Sequence, residues 1–153
     1  VTSEIGRLRS VLVHSPGPEL LAVTPATKED FLYDDIIDVD AARREHNRFV
    51  AILERFTQVY QVRDLLVEVL ASEEARELVV REAMDVVPSP PLVDAFKELT
   101  PAELAEAIVE GREEEPGPLA RTLNVSSYTL PPTPNLFFTR DTAMGVGEHV
   151  LVG

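Results

Sequence analysis

The order of strand-like and helix-like segments limits this chain to folds that combine α-helices with β-strands. Residues 9–13 end in three apolar residues and are closed by a turn of Ser, Pro and Gly, which predicts a short buried first strand. Residues 41–56 repeat apolar side chains at near-helical spacing after Asp40, which we expect to cap this helix. Residues 57–63 are rich in β-forming side chains and predict a second strand. A strand, a helix and a strand in this order favour a parallel pair joined by a crossover.

A block of helices is predicted over residues 64–123. The candidate starts of its helices are Asp64, Ser72, Ser89 and Thr100. The start at Thr100 is a capping box, because Glu103 stands three residues later and proline occupies the first helical position. Gly111 predicts the end of that helix, and a last helical turn is expected near residues 119–123.

Strand-like composition returns after the helical block. Residues 143–146 and 150–152 predict a hairpin around Gly147 and Glu148, whereas residues 20–39 lack a sustained period and predict a long loop. The predicted fold class is therefore α/β with a helical insertion. Its three parts are residues 1–63, the first part of an α/β module, residues 64–123, the insertion, and residues 124–153, the return to the module.

Composition excludes several classes of function. A formal net charge of −13 argues against binding nucleic acid or an anionic membrane by charge. The 153 residues contain no cysteine, which excludes disulfides, thiolate zinc sites and a cysteine nucleophile within them. No apolar run approaches membrane-spanning length, and we expect a cytoplasmic protein. The adjacent carboxylates Asp34 and Asp35 lack further ligands at suitable spacing, so we interpret them as loop caps and predict no metal and no cofactor.

An amide, an aromatic ring and a carboxylate lie within seven residues in the segment 134–141. These are Asn135, Phe138 and Asp141. A carboxylate accepts two parallel N–H bonds from a guanidinium, and an aromatic face tolerates its weakly hydrated plane. Structural roles stay open: Asp141 could pair with Arg140 or cap a turn, Asn135 could cap a turn, and Phe138 could be a core residue. If the segment is a strand, Asn135 and Asp141 share one face and Phe138 lies on the other.

Three blocks of the sequence resemble the arginine deiminases, a family of guanidine-modifying enzymes. The blocks are Ser3–Gly17, similar to the family's first strand and turn, Phe31-Leu32-Tyr33-Asp34-Asp35-Ile36, similar to its Asp-Asp loop, and Phe138-Thr139-Arg140-Asp141, similar to its substrate motif. They occur in the family's order along nearly the whole chain, although the family's proteins are much longer. The resemblance implies an N-terminal portion of such an enzyme. It also implies a partial, pentein-like α/β propeller with a small helical bundle inserted in its first blade.

The resemblance further implies roles for single residues. Asp141 would bind the substrate guanidinium, Asn135 would contact its amino-acid end, and Phe138 would line the pocket. Leu32 would belong to a loop that closes over the active site. The implied reaction hydrolyses L-arginine to L-citrulline and ammonia through a covalent cysteine intermediate. Because the nucleophile and the catalytic histidine would lie outside these residues, we assign no catalytic residue here and expect this chain alone to be inactive.

Two other functions stay open on the sequence. One is a different guanidine-modifying enzyme, such as an amidinotransferase or an agmatine deiminase, and the other is a noncatalytic binding module of the same fold. We expect L-arginine as the small-molecule partner, no nucleic-acid or membrane partner, and a homo-oligomer for the full-length protein. An isolated blade would expose strand edges and apolar surface, so a chain ending at Gly153 is expected to self-associate or need a partner. His14 is predicted to be a hydrogen-bonded structural residue, and His46 to lie on the polar side of the first helix.

Overall fold

The computed structural model describes residues 5–87, 90–113, 128–146 and 149–152. The chain divides into two compact units. The α/β unit comprises residues 1–62 and 134–153, and the helical unit comprises residues 63–133. The presence of both helices and strands confirms the predicted α/β class in this coarse form.

The α/β unit is built around a pair of parallel strands. Strand β1 (Ser10–Val13) pairs with β2 (Gln58–Gln61), with Ser10 opposite Gln58 and Val13 opposite Gln61. Helix α1 (Val39–Leu53) forms the crossover between them, as a parallel pair requires. The predicted parallel arrangement is therefore confirmed, but β1 is not buried along its length as expected, since Val13 is buried while Ser10 and Leu12 are exposed. A short 3-10 helix, Pro18–Ala22, lies within the region expected to be a long loop.

Helix α1 begins one residue after Asp38, and the prediction that Asp40 caps it is wrong. The Asp38 carboxylate accepts a hydrogen bond from the backbone N–H of Ala41 at 2.8 Å. Asp40 instead lies in the first turn, where its charge complements the positive end of the helix dipole. The helix ends at Leu53, three residues earlier than predicted, and the side chain of Phe49 stays 54% exposed.

An antiparallel hairpin is present near the end of the described residues. Strand β5 (Ala143–Val146) pairs with β6 (His149–Val152), so that Ala143 faces Val152. This confirms the predicted hairpin, while its turn residues Gly147 and Glu148 lie outside the described part of the chain. Val150, Leu151 and Val152 are exposed, and β6 therefore buries little apolar surface within this structure.

The helical unit contains four helices and a short antiparallel strand pair among its described residues. The elements are α2 (Val62–Val69), α3 (Glu73–Val86), α4 (Pro90–Glu98), α5 (Pro101–Glu110), β3 (Arg112–Glu113) and β4 (Tyr128–Leu130). A single apolar cluster forms its core, made of Leu70, Leu92, Phe96, Leu104, Ala105, Ala107 and Leu130. Burying these side chains provides the main stabilisation of the unit.

The ends of α5 follow the sequence signals closely. The Thr100 hydroxyl accepts from the N–H of Glu103 at 3.3 Å, and the Glu103 carboxylate accepts from the N–H of Thr100 at 2.8 Å. The predicted capping box is thus confirmed. Gly111 follows the helix with φ of +76°, and a Cβ there would lie 2.7 Å from the carbonyl oxygen of Leu130. Only glycine meets both conditions without strain.

The other predicted helix starts had mixed outcomes. Ser72 stands at the N-cap of α3, as predicted. Asp64 is not a cap, because α2 begins at Val62 and includes Asp64 in its first turn. Ser89 and the predicted helical turn at residues 119–123 lie outside the described residues.

Candidate functional site

The segment that carries the predicted site residues forms consecutive tight turns. Pro134–Phe137 is a 3-10 helix. The N–H of Phe138 then donates to the carbonyl of Asn135, and the N–H of Asp141 donates to that of Phe138, each at 3.0 Å. The strand alternation considered for this segment therefore does not apply. The prolines before and within it supply no N–H to a strand ladder, which favours turns.

The turns place the three candidate residues at a regular interval. Asn135, Phe138 and Asp141 are three residues apart in the sequence: Asn135 lies in the 3-10 helix, and the two backbone hydrogen bonds just described join Phe138 to Asn135 and Asp141 to Phe138. Asn135 and Asp141 are exposed, and Phe138 is 43% exposed. An amide, a ring and a carboxylate are therefore all accessible to a ligand on successive turns.

Tyr33 anchors this segment to the loop that precedes α1. Its hydroxyl donates to the carbonyl oxygen of Pro134 at 3.0 Å, and its ring centroid lies 5.7 Å from that of Phe138. Phe137 packs edge-on against Phe138 with centroids 5.7 Å apart. The Thr139 hydroxyl donates to the carbonyl of Leu12 at 3.3 Å, which ties the segment to β1 as well. Sequence reasoning missed the contribution of Tyr33, because its partners lie more than one hundred residues away.

Leu32, the fourth candidate, precedes Tyr33 in an unusual backbone conformation. Its φ is +61°, in the left-handed region that β-carbon sterics disfavour, and its side chain is 87% exposed. The N–H of Leu32 donates to the carbonyl of Glu29 at 3.1 Å, and the N–H of Tyr33 donates to that of Lys28 at 2.8 Å. With the backbone held by these bonds, the side chain of Leu32 is exposed to solvent and that of Tyr33 is buried.

A buried polar group lies at the end of β1. Nε2 of His14 lies 3.0 Å from Oε1 of Glu19, and the N–H of Gly17 donates to the same oxygen at 2.8 Å. His14 is 4% exposed and Glu19 is 1% exposed. Burial by itself would raise the pKa of Glu19, but the hydrogen bonds from His14 and the backbone and the nearby imidazole lower it below its ordinary value. The predicted structural role of His14 is confirmed, whereas sequence reasoning missed Glu19.

Gly17 is required by this arrangement. A Cβ at that position would collide with the buried Glu19 carboxylate, whose Oε1 is held by His14 and by the N–H of Gly17. The spacing His14, Gly17 and Glu19 around Pro16 is the local sequence signal that could have identified the group.

His46 is half-buried, and its predicted position on the polar side of α1 is wrong. Its ring lies against Phe137, with centroids 6.0 Å apart. Within the described residues, its Nε2 is buried without a hydrogen-bond partner. Burial, reinforced by the nearby imidazole of His14, lowers the pKa of His46. The neutral ring therefore packs as a largely apolar group at neutral pH.

The described parts of the chain contain neither a metal-binding cluster nor a helix suited to crossing a membrane. No group of three or more His, Asp or Glu side chains there is arranged to hold a metal ion. None of the helices described combines the length and apolar character needed to cross a membrane. Asp35 accepts a hydrogen bond from the N–H of Ile36 at 2.8 Å, consistent with a loop-capping role. Two grooves, of about 830 and 590 Å³, are lined by helical-unit residues and contain none of the four candidate residues.

Comparison with known proteins identifies the class to which this fold and segment belong. Residues 29–153 match the family model described as arginine deiminase. The chain is 34% identical to an arginine deiminase of Rhodococcus erythropolis, with 99% of this chain and 41% of that protein covered. It is 36% identical to one from Metamycoplasma arthritidis, with 99% and 39% covered, and 34% identical to one from Treponema denticola, with 98% and 40% covered.

The chain belongs to the arginine deiminase family. It corresponds to an N-terminal part of an arginine deiminase and spans about 40% of the length of the curated relatives it matches.

Proposed function

We propose that this chain contributes the guanidinium-recognising part of an enzyme that hydrolyses L-arginine to L-citrulline and ammonia. The observation that carries the proposal is the family match over residues 29–153, which includes the accessible segment from Asn135 to Asp141. The enzyme would act on a C–N bond of an amidine-type group.

Asp141 is the proposed anchor for the guanidinium. A carboxylate accepts two parallel N–H bonds from such a planar cation, and each charge-assisted bond is stronger than a neutral one. The hydrogen bond from the N–H of Asp141 to the carbonyl of Phe138 fixes the backbone position from which the Asp141 side chain extends. The net charge of −13 adds a weak, long-range attraction for a cationic substrate.

The other candidate residues would complete the contacts to the substrate. Asn135 offers a donor and an acceptor, which suits the α-carboxylate or α-amino group of arginine. Phe138 offers a partly exposed ring to the guanidinium plane or the aliphatic stem. Leu32, exposed on its loop, would form part of a lid that excludes water from the reaction.

The reactive groups of the proposed enzyme lie outside the 153 residues. A cysteine thiolate would attack the guanidinium carbon, ammonia would leave, and water would release citrulline from the covalent intermediate. This chain contains no cysteine, so we propose that it has no turnover by itself.

The proposed architecture of the whole enzyme is the family's pentein-like α/β propeller. Residues 1–63 and 124–153 would belong to its first module, and residues 64–123 would be the inserted helical bundle. Exposed apolar side chains of the α/β unit, including Phe56 at 76% and Tyr60 at 45%, are consistent with a surface that further modules cover. We further propose a cytoplasmic homo-oligomer without nucleic-acid or membrane partners.

The test is citrulline formation from L-arginine. It compares the 153-residue chain with the complete polypeptide that carries it, and the expected result is activity in the complete polypeptide only. Agmatine, which lacks the carboxylate, is the parallel substrate. Turnover of agmatine but not of arginine would replace the proposal with a related deiminase, and silence with both would point to a noncatalytic relative.

The role of Asp141 is tested by Asp141→Asn in the complete polypeptide. The matched control is Asp94→Asn, which removes an exposed carboxylate of the helical unit paired with Lys97. We expect Asp141→Asn to lower kcat/KM for arginine by at least about 100-fold, because charged hydrogen bonds to the substrate are lost. Asp94→Asn should leave it within about twofold. Equal effects of the two variants would contradict the assigned role.

A further inference from the structure

Tyr33 connects the loop that carries Leu32 with the segment that carries Asn135 and Phe138. Its side chain is 9% exposed and packs with Leu20 and Val23, the buried residues of the α/β unit's small apolar cluster. It follows Leu32 directly in the chain, and it contacts Pro134 and Phe138 in the segment that carries Asn135. A single side chain therefore touches both the loop and the substrate motif.

The hydroxyl of Tyr33 makes the more specific of its contacts. It donates to the carbonyl of Pro134, the residue before Asn135, at 3.0 Å. Pro134 is the first residue of the 3-10 helix, and its carbonyl belongs to the planar peptide bond that joins it to Asn135. A hydrogen bond that fixes this carbonyl therefore also fixes the orientation of the Asn135 backbone. Burial, together with the negative charge of Glu19, raises the pKa of Tyr33 above its ordinary value, so the hydroxyl keeps its proton and remains a donor.

The ring of Tyr33 makes the second contact, a tilted packing against Phe138 with centroids 5.7 Å apart and an interplanar angle of 47°. Phe138 is held on another side by Phe137. Such aromatic pairs restrict the rotation of both rings. The ring contact is apolar and would survive removal of the hydroxyl, which makes the two contributions separable.

We propose that Tyr33 is a positioning residue for substrate recognition: its hydroxyl orients Asn135 through the Pro134 carbonyl, and its ring supports Phe138. This inference rests on the proposed function, in which Asn135 contacts the amino-acid end of arginine. Tyr33 acts through these neighbours and does not itself contact the substrate. It also links the position of Leu32 to the position of Asn135, so the loop and the binding segment keep a fixed position relative to each other.

The test is Tyr33→Phe in the complete polypeptide, with kcat and KM for L-arginine measured well below the thermal midpoint. We expect KM to rise about 5- to 10-fold, the effect of one net hydrogen bond, while kcat changes less than about threefold. The matched control is Tyr128→Phe, which removes a hydroxyl from a partly buried ring on β4 of the helical unit and should change neither parameter, because that unit supplies none of the proposed binding residues. An unchanged KM for Tyr33→Phe would overturn the proposal, as would a lower Tm with KM unchanged.

A double-mutant cycle separates positioning from general stability. In an Asn135→Ala background, Tyr33→Phe should raise KM less than about twofold, because the group that the hydroxyl orients is already absent. The same 5- to 10-fold increase in both backgrounds would show that Tyr33 acts independently of Asn135 and would overturn the inference. Absence of citrulline formation by the unmodified polypeptide would instead contradict the proposed function, so the two failures are distinguishable.

Discussion

The helical unit and the α/β unit differ in the interactions that stabilise each of them internally. Seven buried apolar residues form one cluster in the helical unit, with Phe96 and Leu104 almost completely buried. The corresponding cluster of the α/β unit has three buried residues, Leu20, Val23 and Tyr33. Of the residues described, the buried charged or polar side chains His14 and Glu19 both belong to the α/β unit.

The difference shows that a folded unit can depend on directional contacts when its apolar core is small. Apolar burial is non-directional and tolerates some rearrangement, whereas the hydrogen bonds of Glu19 and Tyr33 require fixed positions. The unit that carries the proposed binding residues is the one with the fixed polar contacts. Stability measurements can test this contrast directly.

Substitution in the apolar cores should give the largest effect. Phe96→Ala removes a ring that is 1% exposed, and we expect the free energy of unfolding to fall by about 3–5 kcal/mol. Phe56→Ala is the matched control in the α/β unit, where the ring is 76% exposed and the expected loss is below about 0.5 kcal/mol. Urea denaturation of the 153-residue chain, followed by circular dichroism, measures both. Comparable losses would contradict the burial of Phe96 in the core of the helical unit.

The buried carboxylate should give an intermediate effect that depends on pH. At pH 7 we expect Glu19→Gln to lower the free energy of unfolding by about 1–3 kcal/mol, because bonds to a charged acceptor are weakened. Since folding lowers the pKa of Glu19, its stabilisation is complete above the ordinary value of 4.5 and is lost as the pH falls through the lowered pKa. Urea denaturation at several pH values should show the wild type and the variant converging in acid.

The helical unit supplies the control for this pH dependence. The difference between wild type and Phe96→Ala should stay constant over the same pH range, because the Phe96 side chain does not titrate. A Glu19→Gln difference that is equally constant in acid would contradict the assigned role of the charged carboxylate.

Helix caps should give the smallest effects and, unlike the cores, should not distinguish the units. Asp38→Ala in α1 and Thr100→Ala in α5 each remove a side-chain acceptor for a backbone N–H at a helix start. We expect each to cost about 1 kcal/mol, measured as a shift of the urea midpoint. A cost several times larger in one unit would mean that capping depends on the surrounding core.

Sequence patterns predicted those features that depend on neighbouring residues. The capping box joins Thr100 to Glu103, and Gly111 directly follows the last residue of α5. Each signal is local in the sequence, and both were predicted. The prediction that Asp40 caps α1 failed because an aspartate also stands at position 38, and the residue type suits an N-cap equally well at both positions. Only the folded backbone decides which carboxylate reaches the N–H of Ala41.

The candidate site could be predicted as a set of residues but not as a geometry. The residue types of Asn135, Phe138 and Asp141 indicate a planar cation, but they also allow a strand where the structure forms turns. The anchor through Tyr33 could not be found from the sequence, because no local pattern links residue 33 to residue 134. Long-range contacts of this kind depend on the fold as a whole.

The division of the α/β unit into two distant segments has a consequence for biosynthesis. Tyr33 and its acceptor on Pro134 are 101 residues apart. At typical translation rates, about 5–20 s pass between their synthesis. The intervening helical unit is contiguous in the chain and depends mostly on local contacts, so it can fold during that delay. During that delay the Tyr33 hydroxyl lacks its acceptor on Pro134, so the contact between Tyr33 and the binding segment forms only after the helical unit has been synthesised.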